Sequence, residues 1–216
     1  MSSAPPAVLA FAASDPTGGA GMQADLLTIA SLGCHPLSVL TALTAQDTRG
    51  VQSLMALESA WIERQARCVL ADIPVAAFKI GVLGSARNAE AVAAILAGYP
   101  RTPVVLDPVL ASGRGDALAD SKTVQVLRAA LLPRTTVLTP NSLEARRLAQ
   151  AAPGAPLAEC ARELASRGCR YVLITGTHEP GAEVVKLAIE QDYDLIILNA
   201  EESQAAGAVI ELAAVS

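Results

Sequence analysis

The sequence predicts an α/β domain built on a doubly wound, mostly parallel sheet with helices on both faces. Short apolar runs alternate with amphipathic stretches almost from end to end of the 216 residues, the pattern of strands joined by crossover helices. Some of those runs, Val104-Val105-Leu106 and Leu195-Ile196-Ile197-Leu198, are apolar without alternation, as strands covered on both faces must be. Hydrophobic residues make up 52% of the chain and charged residues 17%, enough apolar surface to offset the chain entropy lost on ordering. Aromatics are only 3%, so Ala, Val, Leu and Ile must build the core. A chain of this length, without a linker, repeat or low-complexity tract, reads as one domain over 1–216.

The elements follow in order. An apolar strand at 7–12 leads through a small-residue loop into a helix at 21–31, and a turn around Gly33 and Pro36 leads to a second strand at 37–41. Helices at 58–70 and 86–97 bracket a strand at 76–80, with Trp61 placed as a packing residue on the first of them. A strand at 103–106 precedes a helix at 121–131 capped by Asp120, and a strand at 136–138 precedes a helix at 142–151 capped by Asn141. An Ala-Pro turn at 151–156, a helix at 157–167, a strand at 171–174, a helix at 182–191, a strand at 194–198 and a last helix complete the pattern. The longest uncharged stretch, 26–46, carries Gly33, His35 and Pro36 in its middle, so it reads as helix end, turn and strand rather than as a membrane span. The start has no basic segment of a signal peptide, which gives the expectation of a cytoplasmic protein with no membrane partner. With 16 Lys and Arg against 21 Asp and Glu, the net charge of -5 offers no basic stripe, and nucleic acid is not an expected partner. Cys34, Cys68, Cys160 and Cys169 lie far apart with no CxxC pair, so they read as thiols of a reducing compartment rather than a zinc site or disulfide framework.

In an open parallel sheet ligands bind beyond the carboxyl ends of the strands, which directs attention to the residues just after each one. Ser14-Asp15-Pro16-Thr17-Gly18-Gly19-Ala20-Gly21 is a small-residue loop opening a helix; it suits close approach of a polar ligand, or equally a turn capped by Asp15. It matches neither the dinucleotide fingerprint nor the phosphate loop. Gln46, after the second strand, offers a donor and an acceptor together, as an aminopyrimidine edge requires, although a plain polar loop explains it too. Lys79-Ile80-Gly81 ends the third strand, where Lys79 either snorkels or pairs with a carboxylate. Asp107 and Glu144 follow neighbouring strands; two such carboxylates suit Mg²⁺ held through waters and phosphate, and equally suit separate capping or ion-pair roles. Thr175-Gly176-Thr177-His178 forms a compact polar loop after the strand at 171–174.

Taken in order, these pieces resemble the hydroxymethylpyrimidine and phosphomethylpyrimidine kinases of thiamine biosynthesis, members of the ribokinase-like superfamily. Six segments carry the resemblance across about 7–185: SDPTGGAGMQADL, ALTAQDTRGV, KIGVLG, VVLDPVLASGRG, LLPRTTVLTPNSLEA and YVLITGTHEPGAEVV. The resemblance implies a ribokinase-like fold, a small-molecule pyrimidine substrate, ATP and Mg²⁺ as cofactors, and a homodimer. It implies phosphorylation of 4-amino-5-hydroxymethyl-2-methylpyrimidine and then of its monophosphate. By position it places Ser14, Asp15, Gly18, Gly19, Gly21 and Asp25 in the pyrimidine-side loop, Gln46 on the ring edge, and Gly81 and Val109 as walls of the ring pocket. It places Asp107 and Glu144 near the metal, and Asn141, Thr175 and Gly176 near the nucleotide. The family also carries a glycine-rich GTGC or GSGC segment, whose amides form the anion hole and whose Cys stands where relatives keep a catalytic base. Residues 186–216 diverge and contain no such segment, so no catalytic residue is assigned. The alternatives are a pyridoxal-type vitamin kinase and a weakened kinase that binds the pyrimidine or acts as a regulator.

Overall fold

The computed structural model describes residues 4–112, 115 and 117–175, together with the backbone of 185–187. Its centre is β1 (Ala7–Ala13), in which every residue is buried. Alternation along β1 divides the core between the two faces of the sheet. Leu9 and Phe11 point into the larger cluster with Phe78, Ile80, Leu106 and Leu138, while Val8, Ala10 and Ala12 pack with Met22 and Ile29. Residues with small side chains on the second face let α1 (Gly21–Ser31) lie close on the sheet.

The remaining strands are β2 (His35–Asp47), β3 (Gly50–Ala56), β4 (Ala77–Ile80), β5 (Val104–Leu106), β6 (Val137–Leu138), β7 (Tyr171–Ile174) and β8 (Val185–Leu187). They form one eight-stranded sheet in the order β3-β2-β1-β4-β5-β6-β7-β8. The six inner strands are parallel, and both edges, β3 against β2 and β8 against β7, are antiparallel. The other helices are α2 (Ser59–Asp72), α3 (Ala86–Ala97), α4 (Ser121–Val126), α5 (Ser142–Ala149) and α6 (Leu157–Ser166). Ile62, Val92, Val124, Leu148 and Leu164 send these five into the cluster of Phe11, opposite α1. Right-handed crossovers explain the division. The chain leaves β1 toward β2 over one face, then returns to β4 on the other side of β1 over the opposite face. The strand order therefore reverses between β1 and β4, where open sheets of this kind bind ligands.

Four expectations need correction. The strand expected at 37–41 extends to Asp47 and turns back as β3, which no expected element covered. No residue of β3 is fully buried, so its sequence carries no apolar run, and the turn is made by the Asp47 carboxylate accepting from the N–H groups of Arg49 (2.8 Å) and Gly50 (3.1 Å). The helix expected at 121–131 is α-helical only to Val126; Leu127–Leu131 is π-helical and Leu132–Arg134 closes as a 3-10 turn. Pro133 has no N–H and crowds the carbonyl four residues back, which forces the last turns out of register. The helix expected at 142–151 stops at Ala149, because Gln150 takes the left-handed conformation (φ 57°). Finally, Val185–Leu187 pairs with β7 as a strand inside the helix expected at 182–191. The strand expected at 194–198 lies outside the described residues, and among those described no helix is long and apolar enough to cross a membrane.

Candidate active site

Six chain segments follow the carboxyl ends of the parallel strands. The first is the loop after β1, and Asp15 shapes it. This carboxylate, 2% exposed, accepts from the Thr17 N–H (2.8 Å), the Thr17 hydroxyl (2.9 Å) and the Ala20 N–H (2.8 Å). All three donors belong to the loop itself, so Asp15 acts as its internal brace. It also takes over the capping of α1, whose N-cap residue Ala20 has no side chain able to do so. Gly18 (φ 77°) makes the turn at the loop tip. At Gly21 (φ 55°) a Cβ would lie 2.5 Å from the Ala13 carbonyl oxygen, so α1 can begin here only on glycine. Gly19 spaces the two, its N–H donating to the Thr17 hydroxyl at 3.3 Å.

β2 ties this loop to its own hairpin. The Ser14 N–H donates to the Ala42 carbonyl (2.9 Å), and the Thr44 hydroxyl donates to the Ser14 carbonyl (2.8 Å). Gln46, two residues beyond Thr44, shares its face of the strand, and its side-chain amide is unpartnered among the described residues. Gly81 and Val109 line one recess with Leu83, Gly84, Pro108 and Leu118. The structure thus brings together both residues expected to wall the ring pocket.

Asp107 follows β5 directly, its N–H donating to the Ile80 carbonyl at 2.8 Å. Glu144, 7% exposed, accepts from the Leu110 N–H (3.0 Å) through one oxygen and the Asn141 N–H (2.9 Å) through the other. The Asn141 side chain accepts from the Glu144 N–H in return (2.9 Å), which completes a capping box at the start of α5. Glu144 therefore caps its helix and at the same time draws the segment beginning at Asp107 against α5. Thr175 reaches the same place by donating its N–H to the Pro140 carbonyl (3.0 Å) and forming a parallel bridge with Asn141. Gly176 lies outside the described residues.

Asp25 is placed differently from the loop position the resemblance gives it. It sits one turn inside α1, 3% exposed, with both carboxylate oxygens on the Lys79 ammonium at 2.8 and 3.0 Å. Burial pushes its carboxyl above the ordinary 3.8, against the attraction and hydrogen bond of Lys79. Lys79 was legible as an isolated cation in an apolar strand, but its partner was not. Thr44, the tie between loop and hairpin, had no signal in the sequence at all.

The family model for phosphomethylpyrimidine kinase matches residues 15–212. The chain belongs to the phosphomethylpyrimidine kinase family. Its relatives include the hydroxymethylpyrimidine/phosphomethylpyrimidine kinase of Streptomyces coelicolor, 45% identical over 182 residues, which cover 83% of this chain and 67% of that one. The crystal structure of phosphomethylpyrimidine kinase from Clostridium difficile 630 is similar at TM-score 0.77 and 33% identity, over 85% of this chain and 82% of that one. The pyridoxal kinase of Staphylococcus aureus in complex with pyridoxal is similar at TM-score 0.72 and 28% identity, over 81% and 66%. The chain spans about two thirds of the length of single-function curated relatives and about a third of a bifunctional one. The ribokinase-like fold expected of a phosphomethylpyrimidine kinase is the one observed, with both faces of the sheet covered.

Proposed function

We propose that the chain phosphorylates 4-amino-5-hydroxymethyl-2-methylpyrimidine and its monophosphate at the expense of ATP. The observation that carries the reading is the arrangement at the carboxyl ends of the strands, where the loop braced by Asp15 follows β1, Gly81 follows β4, Asp107 and Val109 follow β5, and Glu144 opens the helix after β6. Gln46 reads the ring edge with its donor and acceptor, and the loop carrying Ser14, Gly18, Gly19 and Gly21 shapes the same side. Asn141 and Thr175 serve the nucleotide side, to which the resemblance also assigns Gly176. The donors fit magnesium in its usual mode, in which one or two carboxylates assist waters and phosphates, since Glu144 is already engaged by two amides and no cluster of three ligating side chains exists among the described residues. When bound there, the ion neutralises the charge of the transferring phosphoryl group. The protein's own share is positioning, the larger part of catalysis in phosphoryl transfer.

The test is ATP-dependent phosphorylation of hydroxymethylpyrimidine by this chain with Mg²⁺, products read by mass spectrometry, beside calorimetric titration of the same compound. Mono- and diphosphate at an ordinary rate support the reading. Saturable binding without product assigns the chain to pyrimidine binding or regulation, and preference for pyridoxal in competition assigns it to the vitamin kinases. Sedimentation of the purified protein tests the homodimer, and a cytoplasmic location belongs to the same proposal.

A further inference from the structure

The Asp25 and Lys79 side chains are both 3% exposed, and the ammonium contacts both carboxylate oxygens at 2.8 and 3.0 Å. Such a pair is weak evidence for stability, because the cost of desolvating two charges is often matched by a well-packed apolar pair of the same volume. What it adds is direction. Apolar contacts such as those of Met22 and Ile29 hold α1 to the sheet without fixing how far it slides or turns. Two oxygens on one nitrogen fix both.

The pair also stands close to two glycines, Gly81 after the end of β4 and Gly21 at the start of α1. Lys79 is paired in register with Ala10, and passes over that small residue to reach α1. Two residues on, a Cβ at Gly81 would lie 3.1 Å from its Nζ. Asp25 lies one turn after Gly21, on the same face of α1, where the helix start abuts the Ala13 carbonyl. We propose that Asp25 and Lys79 form a positioning strut that sets the first turn of α1 over the end of β4, and with it the spacing between the 14–21 loop and Gly81. The inference rests on the kinase reading for its substrate, but its mechanical content does not.

The experiment compares the parent chain with the apolar double variant Asp25→Leu/Lys79→Met. Thermal midpoint, steady-state kinetics and amide hydrogen exchange at residues 17–21 are measured on both. The expected result is a midpoint close to the parent's, unchanged KM for ATP, faster exchange in the loop, and KM for hydroxymethylpyrimidine raised about tenfold, since misplacement by an ångström costs up to about a hundredfold. Parent-like KM and loop exchange in the folded double variant would overturn the proposal. Should that variant fail to fold, Asp25→Glu keeps the charge and lengthens the reach, and parent-like kinetics and exchange there would overturn it equally. A parent chain that binds no pyrimidine sinks the kinase reading alone, and the exchange comparison still decides the strut.

Discussion

Gln46 presents two complementary groups from one planar amide, which makes its contribution separable from that of the loop. Replacement by Ala removes two hydrogen bonds worth about 0.5–1.5 kcal/mol each, so KM for the pyrimidine should rise about 5- to 150-fold with KM for ATP unchanged. Equal loss of both would place Gln46 elsewhere. Gly21→Ala meets the Ala13 carbonyl oxygen at 2.5 Å and adopts a positive φ, and urea denaturation should show a loss of about 1–3 kcal/mol. Burial pushes the Cys169 thiol up to about 12 and raises that of Cys160, whereas Cys68 is exposed. A thiol reagent at neutral pH should therefore label Cys68 in the native protein and reach Cys160 and Cys169 only on unfolding. At this scale the sequence shows which residues have the right chemistry. The sequence allowed Asp15 and Glu144 as capping residues, but it could not show that Glu144 also accepts from an amide 34 residues away at Leu110.

α1 is joined to β4 by charge across β1, and pH reveals the join. In Lys79→Met the attraction and hydrogen bond that hold the Asp25 carboxyl down are gone, and burial alone raises it further above 3.8. The folded state then keeps a proton that the unfolded chain gives up. Relative to the parent, the variant should be least destabilised below 3.8 and lose more stability as pH climbs through the raised folded value, which thermal melts of both proteins across pH would show; a pH-independent difference from the parent would contradict it. Elements legible in the sequence are those with a continuous apolar run or a side-chain cap, such as β1, β5 and α5 with its Asn141 cap. β3 and β8 escaped because edge strands need no such run, and the π-helical turn escaped because Pro133 changes the hydrogen-bond register without changing the apolar spacing.

The whole molecule is organised around β1, which contributes to both cores. Phe11, fully buried, touches the ring of Phe78 at a centroid distance of 6.2 Å. Phe11→Ala should cost about 3–5 kcal/mol, read as a lower urea midpoint with one cooperative transition. The doubly wound class was legible because its inner strands must be apolar on both faces. The position of the reversal was not, since crossover direction leaves no mark in composition. One consequence reaches beyond stability. Ser14 is held by the Ala42 carbonyl and the Thr44 hydroxyl, so the hairpin bearing Gln46 and the braced loop after β1 are parts of one linkage. A hairpin that swings carries the loop with it. Capture of the ring edge and setting of the loop become a single event, and a ligand that engages one half without the other gains little from either.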